Sequence, residues 1–377
     1  MRKQVWLSLA ALAAVLILFP ACQAGTETVR ITNTATVTLT STVTATATAT
    51  DTDPATRTIT DMYGRQVTVP ATINRVLTSG SVEMQLVFML APEKLAGLSN
   101  NFNGSPPLVS EQYAALPVVG SWSGGSIPNI EAFLAIEPDI IIDGFGEDLE
   151  DHQQKFGSVP VVGVDSGDLL LDYAPIISFL GDLLGVPDKA EELLAYYTEA
   201  MDYVNTITAN IPADERIMVY YAEGTNGLST DPAGSFHTDL ITFCGGNVVA
   251  DVQLLPGVGQ VTVSMEQILL WDPDLIIIGR GSQANLYLTI MTDSIWGMVQ
   301  AVNDGLVFVR PDNPLSWFDG PPGLCQIVGM YWMAHTLYPD KTVDLDLNAK
   351  IKEFYTKFLH YDLSDAELTS LLANPEL

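Results

Sequence analysis

The chain has 377 residues, of which 45 are acidic and 16 are basic, so its formal net charge is −29 at pH 7. A surface of this sign repels the phosphate backbone, and we therefore exclude nucleic acid as an expected partner. Apolar residues make up 47% of the chain, which is enough to fill the cores of two domains.

The N-terminus has the pattern of an export signal. Basic residues precede an apolar run over residues 5–19, and Ala21 and Cys22 follow it. A positive start, an apolar middle and a small residue at the end are typical of a secretory signal peptide. The run is short for a transmembrane helix. The sequence therefore predicts a signal peptide over residues 1–22 and export of the rest.

Residues 23–56 are dominated by Thr, Ala and Val in nearly periodic order. Alternation of this kind can indicate a strand, but these side chains are too small to form one face of a core. Low complexity beside a membrane anchor is typical of a flexible linker. We interpret the segment as a tether.

The first folded segment alternates on both sides of Gly64, which predicts a β-hairpin over residues 58–70. A strand at residues 75–78, a helix at 82–90 and a strand at 94–98 then follow one another in βαβ order. This order predicts the start of the first sheet.

A long loop over residues 99–129 is rich in Asn, Gly, Ser and Pro and carries Trp122 between glycines. The Trp122 ring has little to pack against locally. It either folds back on its own lobe or faces a ligand, and both alternatives stay open at this point.

Residues 130–142 and 265–277 read almost alike without a gap. Each segment follows an N-cap candidate, Asn129 or Ser264, carries a glutamate in its first turn and continues with apolar residues at helical spacing. A proline then ends the helix, and a β-branched run follows, as in a strand buried within a parallel sheet. The same helix–strand unit occurs twice, which predicts two similar α/β lobes.

A long amphipathic helix separates the two repeats. The segment from Asp188 to Ala209 contains neither Gly nor Pro, and its apolar residues recur at helical spacing. At about 1.5 Å per residue the helix is roughly 33 Å long. We predict an N-terminal lobe over residues 57–187, a connecting helix over 188–210 and a C-terminal lobe over 211–377. A single helix between lobes permits only modest rotation.

The second lobe starts with a strand at residues 216–221 and a helix at 236–243, and Arg280 follows its repeat unit. A second aromatic loop, residues 313–323, comes after a strand at 306–309. Ligands of open α/β sheets lie beyond the carboxyl ends of the strands, and we expect both aromatic loops there. The lobes would then hold a ligand in the cleft between them.

The sequence contains no recognisable catalytic constellation. Residues 120–124 have Trp122 where a hydrolase elbow has its nucleophile, and residues 279–281 lack the third glycine of a dinucleotide fingerprint. The four histidines are scattered, whereas a carrier of bare Zn²⁺ or Mn²⁺ ordinarily needs clustered His and carboxylate. We therefore expect no enzyme activity, no metal site and no cofactor.

Cys22, Cys244 and Cys325 are the only cysteines. The residues around Cys22 resemble the end of a lipoprotein signal, in which the cysteine is lipidated. Phe19 and Pro20 depart from the usual pattern, so ordinary cleavage and an uncleaved anchor stay open as alternatives. Export would permit a disulfide between the other two cysteines, but no spacing argues for it, and we expect two buried free thiols.

In combination these features resemble the class III, or helical-backbone, periplasmic binding proteins of ABC importers for ferric siderophores, haem and cobalamin. The motifs that carry the resemblance are the export signal, the tether, the opening residues 61–70, the unit at 128–139, the long helix, and residues 245–247 followed by 263–266. The match covers residues 57–340. It implies an α/β fold of two Rossmann-like lobes with mostly parallel sheets, joined by a single long α-helix.

The resemblance also implies a docking surface. In that family one acidic residue on each lobe binds an arginine of each permease subunit, and the matching positions are Glu131 and Glu266. Both residues are also ordinary first-turn acids, but their recurrence at one position in both repeats favours docking. The implied partner is an ABC permease dimer with its ATPase. The implied localisation is the outer face of the cytoplasmic membrane, where lipid on Cys22 would hold the protein, or the periplasm. The implied oligomeric state is a monomer.

The resemblance further places the ligand against loops of both lobes. Aromatic faces suit the flat rim of a large chelate, and Arg280 suits its carboxylates or an oxyanion. A salt bridge to the acidic surface is an equal alternative for Arg280. The implied ligand-binding residues are Ser79, Gly80, Trp122, Tyr221, Asn226, Arg280, Trp317, Phe318 and Asp319.

The function that the resemblance implies is capture of a metal chelate, such as a ferric siderophore, haem or cobalamin, and its delivery to a permease without a reaction. One alternative of the same fold is an oxyanion-binding protein for molybdate or tungstate. The other is a cell-surface enzyme or adhesin on a Thr-rich stalk, and the missing catalytic constellation argues against the enzyme.

Overall fold

The structure is a computed structural model. It describes residues 55–122, 128–165, 170–253, 260–279, 283–319 and 323–376. The predicted signal peptide, nearly all of the predicted tether, Cys22 and Arg280 lie outside these ranges. Within them, no helix is both long enough and apolar enough to cross a membrane.

In the described ranges, the strands form two separate parallel sheets and two small antiparallel ladders. The strands are β1 (Thr56–Thr60), β2 (Gln66–Pro70), β3 (Val76–Thr78), β4 (Ile140–Asp143), β5 (Val161–Gly163), β6 (Met218–Ala222), β7 (Ser229–Thr230), β8 (Asn247–Val248), β9 (Val261–Thr262), β10 (Leu275–Ile278) and β11 (Val307–Val309). The N-terminal sheet has the order β3-β4-β5 and the C-terminal sheet β11-β10-β6-β8. Strands β1 and β2 form the predicted hairpin. The predicted α/β class with parallel sheets is confirmed.

Helices surround both sheets. They are α1 (Ser81–Leu90), α2 (Glu111–Ala114), α3 (Ile130–Ala135), α4 (Leu149–Phe156), α5 (Tyr173–Leu184), α6 (Pro187–Thr208), α7 (Asp239–Phe243), α8 (Met265–Trp271), α9 (Gln283–Thr292), α10 (Gln300–Asn303), α11 (Gln326–Leu337), α12 (Leu347–Phe358) and α13 (Asp365–Leu372). Helix α6 is the predicted connecting helix and has 22 residues. It leads from the part of the chain that holds the first sheet to the part that holds the second.

The prediction of a strand at residues 94–98 is wrong. Only isolated bridges occur there, from Leu95 to Val76 and from Leu98 to Val118. Gly97 lies so close to Leu77 and to the carbonyl oxygen of Pro117 that an added Cβ would be 3.0 Å from each. The segment therefore packs against the edge of the sheet without extending it.

The two repeats fold into the same helix–strand unit. The side chains of Asn129 and Ser264 cap α3 and α8, each accepting a hydrogen bond of 3.2 Å from the backbone N–H three residues later. Each unit then passes through an acidic residue in the left-handed region before its proline, Glu137 with φ 53° and Asp272 with φ 43°. The duplication predicted from the sequence is therefore present in the backbone.

An aspartate after each proline ties the unit to the first strand of its sheet. A carboxylate oxygen of Asp139 accepts a hydrogen bond of 2.9 Å from the N–H of Arg75, which precedes β3. The carboxylate of Asp274 accepts one of 2.8 Å from the N–H of Met218, which begins β6. The start of each buried strand is thereby fixed to the end of its repeat helix.

One hydrophobic core joins the two halves of the chain. Its buried residues come from α1, α5 and α6 and from α11 and α12. The Tyr173 hydroxyl donates to Oε1 of Gln326 at 2.9 Å, and Nε2 of His360 lies 2.9 Å from the carbonyl oxygen of Phe88. The connecting helix is therefore packed within a shared core, rather than exposed as a rod between lobes.

Helix α1 carries a buried acid in its first turn. Glu83 is 4% exposed, and its carboxylate would collide with a Cβ on either Gly80 or Gly144. Burial raises the pKa of Glu83 to about 7 from an ordinary value of 4.5; a hydrogen bond from its own backbone lowers the pKa in part, and the charge of Asp143 raises it. Glu83 is therefore near its titration point at neutral pH.

We predict that Glu83 makes the stability of the protein depend on pH. Its pKa is higher in the folded than in the unfolded chain, so the free energy of unfolding falls as pH rises from about 4.5 to about 7. Glu83→Gln stays neutral. It should raise the free energy of unfolding by about 3 kcal/mol at pH 8 and change it little at pH 4.

Urea unfolding of both proteins at pH 4 and pH 8 measures this difference. Glu93→Gln, at an exposed position of the same lobe, is the matched control and should give no pH-dependent difference. An equal effect of Glu83→Gln at both pH values would contradict the prediction.

Candidate functional site

Matching buried glutamates lie at the carboxyl ends of the two sheets. Glu83 lies in α1, just after β3, and Glu223 directly follows β6; both are buried. Gly144 and Gly279 follow the repeat strands β4 and β10 at equivalent positions. The Glu83 carboxylate fills the place of a Cβ on Gly144, and Cγ of Glu223 lies 2.6 Å from the place of a Cβ on Gly279. Only glycine permits so close an approach.

A stack of Asp, His and Trp lies next to Glu83 in the N-terminal sheet. Asp143 ends β4, and its carboxylate lies 2.7 Å from Nδ1 of His152 in α4; both side chains are buried. The Trp122 ring lies 4.0 Å from the His152 ring and 5.6 Å from that of Phe156. The Trp122 ring is therefore folded back on its own lobe and only half-buried. The ring packs on its own lobe, and part of its surface stays exposed.

Tyr63 joins this group, although no sequence pattern singled it out. It lies in the turn between β1 and β2, and the N–H of Gly163 in β5 donates to Asp61 in the same turn at 3.1 Å. The Tyr63 side chain is 41% exposed. Burial raises the pKa of its phenol, and the charges of Asp165, Asp143, Glu83 and Asp61 raise it further. The hairpin therefore places a hydroxyl group among carboxylates at the carboxyl end of this sheet.

Asp319 organises the corresponding end of the C-terminal sheet. Its Oδ2 accepts a hydrogen bond of 3.2 Å from the Tyr221 hydroxyl, and its Oδ1 is in contact with Nδ1 of His237. The Ser316 hydroxyl accepts a hydrogen bond of 3.1 Å from the N–H of Asp319. Asp319 and Tyr221 are fully buried, and His237 is 9% exposed. These contacts hold the loop after β11 against β6.

The structure corrects the prediction that Trp317 and Phe318 form a ligand platform. Both rings have no exposed surface. Phe318 stacks on Tyr221 at 4.9 Å, and Trp317 lies 6.2 Å from Tyr355 in the shared core. The carbonyl oxygen of Trp317 would collide with a Cβ on Gly329 of α11. The two rings therefore anchor the loop to the core. The Gly and Pro residues around them predict a loop but do not indicate that its rings are buried.

The other predicted ligand residues that the structure describes come from both halves of the chain. Ser79 is buried at the end of β3, Asn226 is exposed in the loop after β6, and Arg280 lies outside the described residues. The Gln85 side chain of α1 lies against Gly323, four residues after Asp319, so closely that a Cβ on this glycine would collide with it. Ser79 and Gly80 at the start of α1 and Asp319 in the facing loop therefore approach this contact from opposite lobes.

The charges at the described strand ends are mainly negative. Arg310 follows β11, but its guanidinium is buried, donates to the Ser316 hydroxyl and lies 3.8 Å from Asp312. The buried acidic residues near the strand ends are Glu83, Asp143, Glu223, Asp231 and Asp319. Both sheets therefore present carboxylates at these ends.

A cavity of about 790 Å³ lies elsewhere, lined by Leu306, Trp332, His335 and Val343 among others. Leu306 precedes β11, so this cavity is at the amino end of that strand. Ligands of open α/β sheets bind at the opposite end, and we therefore do not take this cavity as the main site.

The predicted docking residues occupy equivalent surface positions. Glu131 and Glu266 are exposed in the first turns of α3 and α8. Hydrogen bonds from its own backbone N–H and from the Ser264 hydroxyl lower the pKa of Glu266. Both glutamates are therefore available to a partner.

Cys244 and Cys325 are buried free thiols, which confirms that prediction. Burial raises the pKa of each thiol well above its ordinary value. Neither is a reactive thiolate at neutral pH.

Comparison with known proteins identifies the family. The family model described as periplasmic binding protein matches residues 81–314. The chain is 24% identical over 326 residues to the molybdate-binding protein MolA of Haemophilus influenzae, covering 80% of this chain and 90% of that protein. It is 26% identical over 250 residues to the vitamin B12-binding protein of Salmonella typhimurium, covering 65% and 83%.

A solved structure extends this similarity to the whole fold. The ABC transporter solute binding protein from Sulfurospirillum deleyianum superposes with a TM-score of 0.76 at 30% identity, covering 84% of this chain and 98% of that one. The family match alone spans more than half of the chain. The chain therefore belongs to the periplasmic binding protein family and is an extracytoplasmic substrate-binding protein of an ABC transporter.

Proposed function

We propose that the protein captures a metal chelate between its lobes and delivers it to an ABC permease without a chemical reaction. The observation that carries this proposal is the set of buried carboxylates at the strand ends of both sheets. Carboxylates repel a free dianion and favour a ligand that is cationic or rich in hydrogen-bond donors. Ferric tris-catecholates are anionic and haem carries propionates, whereas a corrinoid presents amide N–H groups. A corrinoid therefore fits the charge of this site best.

The vitamin B12-binding relative supports the corrinoid. We propose that the exposed edge of Trp122 contacts the ligand from the N-terminal lobe and that Asn226 contacts it from the C-terminal lobe. Ser79, Gly80, Tyr221 and Asp319 are buried and support these contacts from behind. Arg280 is also proposed to contact the ligand, and this part of the proposal rests on the sequence alone. Trp317 and Phe318 act on the ligand only by holding the Asp319 loop in place.

A free oxyanion is the second candidate, because the molybdate-binding relative matches a larger share of the chain than the B12-binding one. Backbone N–H groups at a helix N-terminus or cationic side chains can hold such a ligand. Arg310 is the described cation nearest in sequence to the Asp319 loop, and it is engaged with Ser316 and Asp312.

Isothermal titration of the purified full chain with cobalamin and with molybdate distinguishes the candidates. We expect cobalamin to bind with a dissociation constant of about 1 μM or lower, and molybdate not to bind. Glu223→Gln should weaken cobalamin binding about tenfold, because one of the buried negative charges on which the proposal rests is lost. Glu111→Gln, at an exposed position, is the control. Tight molybdate binding without cobalamin binding would select the oxyanion instead.

We further propose that Glu131 and Glu266 bind arginines of the two permease subunits. Their equivalent positions in the repeats, their exposure and their places in the first turns of α3 and α8 support this role. Leu134 and Leu270, one turn further along the same helices, are 39% and 78% exposed and would add apolar contact.

Reversing both charges tests the docking proposal. The double variant Glu131→Lys, Glu266→Lys should abolish ligand uptake by proteoliposomes that contain the permease and its ATPase. Its ligand affinity should be unchanged, because both side chains are exposed, and its melting temperature should fall by only a few degrees, because each lysine replaces an acid that favours the N-terminus of its helix. The double variant Glu111→Lys, Glu191→Lys makes the same change of charge at other exposed positions and should transport normally. Wild-type uptake by the first variant would refute docking.

We also propose that lipid on Cys22 anchors the protein, as a monomer, at the outer face of the cytoplasmic membrane. Cells fed with labelled palmitate should label the wild-type protein and not Cys22→Ser. Equal labelling of both proteins would show that the anchor lies elsewhere.

A further inference from the structure

A buried group of three side chains in the C-terminal half has the composition of a metal site. Asp231 follows β7, His237 precedes α7, and Asp319 lies in the loop after β11. One ligand atom of each residue lies within 4.8 Å of those of the other two, and all three residues are buried. His237 and Asp319 are 82 positions apart, so their spacing in the sequence indicates no site. We propose that Asp231, His237 and Asp319 bind a divalent transition-metal ion.

Neighbouring hydroxyl groups orient the two carboxylates. Tyr221 donates to Oδ2 of Asp319 at 3.2 Å, and Ser235 donates to Oδ1 of Asp231 at the same distance. The stacking of Phe318 on Tyr221 at 4.9 Å fixes the Tyr221 ring in turn. Outer hydrogen bonds of this kind are typical of metal sites, because they hold the ligands in position before the ion arrives.

Nδ1 of His237 faces the Asp319 carboxylate. Nδ1 contacts Oδ1 of Asp319, so with the ring proton at Nε2 the Nδ1 lone pair and Oδ1 can bind one ion together, whereas an ion on Nε2 would lie on the far side of the ring from Asp319. The ligand atoms of one ion, with bonds of about 2 Å, lie about 3–4 Å apart. The ligand atoms of this group all lie within 4.8 Å of one another, so small side-chain shifts bring them to these separations.

The donor set selects the class of ion. One imidazole nitrogen and two carboxylate oxygens suit Zn²⁺, Ni²⁺ and Co²⁺, whereas Ca²⁺ and Mg²⁺ prefer six or more oxygens and Cu⁺ prefers sulfur. Two carboxylates balance the double charge of the ion. Three protein ligands leave a coordination position open, as in sites that bind a further molecule.

The N-terminal half of the protein provides a matched control. Asp143 and His152 form a similar buried pair, with the carboxylate 2.7 Å from Nδ1. Throughout the ranges that the structure describes, no third His, Cys, Asp or Glu joins this pair to complete a comparable group. Binding of an ion is therefore expected at His237 and not at His152.

Titration with Co²⁺ tests the proposal on the full chain after metal has been removed with EDTA. We expect one equivalent of Co²⁺ to bind with visible absorption bands, and Zn²⁺ to displace it. His237→Gln and Asp319→Asn should weaken binding at least about 100-fold, as expected for the loss of a direct ligand. His152→Gln should bind as the wild type does.

Circular dichroism and the melting temperature of each variant report whether it folds. If His237→Gln does not fold, Asp231→Asn takes its place, and pulsed electron paramagnetic resonance of the Cu²⁺-loaded wild type must show one imidazole nitrogen. Absence of stoichiometric Co²⁺ binding by the wild type would overturn the proposal. So would an equal loss of binding in His237→Gln and His152→Gln, or a Cu²⁺ spectrum without imidazole. Cobalamin binding by the EDTA-treated protein tests the proposed function separately.

Discussion

The shared hydrophobic core between the two sheets is the constraint on which the rest of the structure depends. Helices α1 and α11 are buried along nearly their whole length, and the connecting helix α6 lies in the same core. Because dense cores resist deformation, the strand ends that carry Glu83 and Asp319 keep a fixed relation to each other. Ligand binding therefore has to proceed with small movements, and the chemistry of the site is largely set before the ligand arrives.

Much of this architecture could be predicted from local patterns. The hairpin, the repeated helix–strand unit and helix α6 all have their signals within a few turns of chain: alternation around Gly64, the caps Asn129 and Ser264, and an unbroken amphipathic period. Each of these features is decided by neighbouring residues, so a single sequence is sufficient to find them. The positions of Glu131 and Glu266 follow from the same local unit.

The composition of the site depends on contacts between distant parts of the chain. Trp317 lies in a loop, where the local sequence does not tell whether its ring faces solvent or the core. The ring is buried because helix α11 packs against this loop, with Gly329 close to the Trp317 carbonyl oxygen. The contact of His237 with Asp319 joins residues 82 positions apart, whereas the Asp143–His152 pair forms within nine residues, where α4 follows β4. Gly144 and Gly279, equivalent in the repeats, were a usable signal for the buried glutamates, since a glycine after a buried strand often marks a close approach.

The two left-handed residues in the repeats have a mechanical consequence. Glu137 and Asp272 hold a conformation that costs about 1 kcal/mol for a residue with a Cβ, and the aspartates two positions later bind the backbone at the start of β3 and β6. This corner resists bending, because a bend would break either the hydrogen bonds at the start of the strand or the turn itself. Strand β3 ends at Thr78, one residue before Ser79, and Asp139 fixes its other end to the unit that contains the surface helix α3. A shift at the Ser79 end of β3 would therefore be passed on to the unit that carries Glu131.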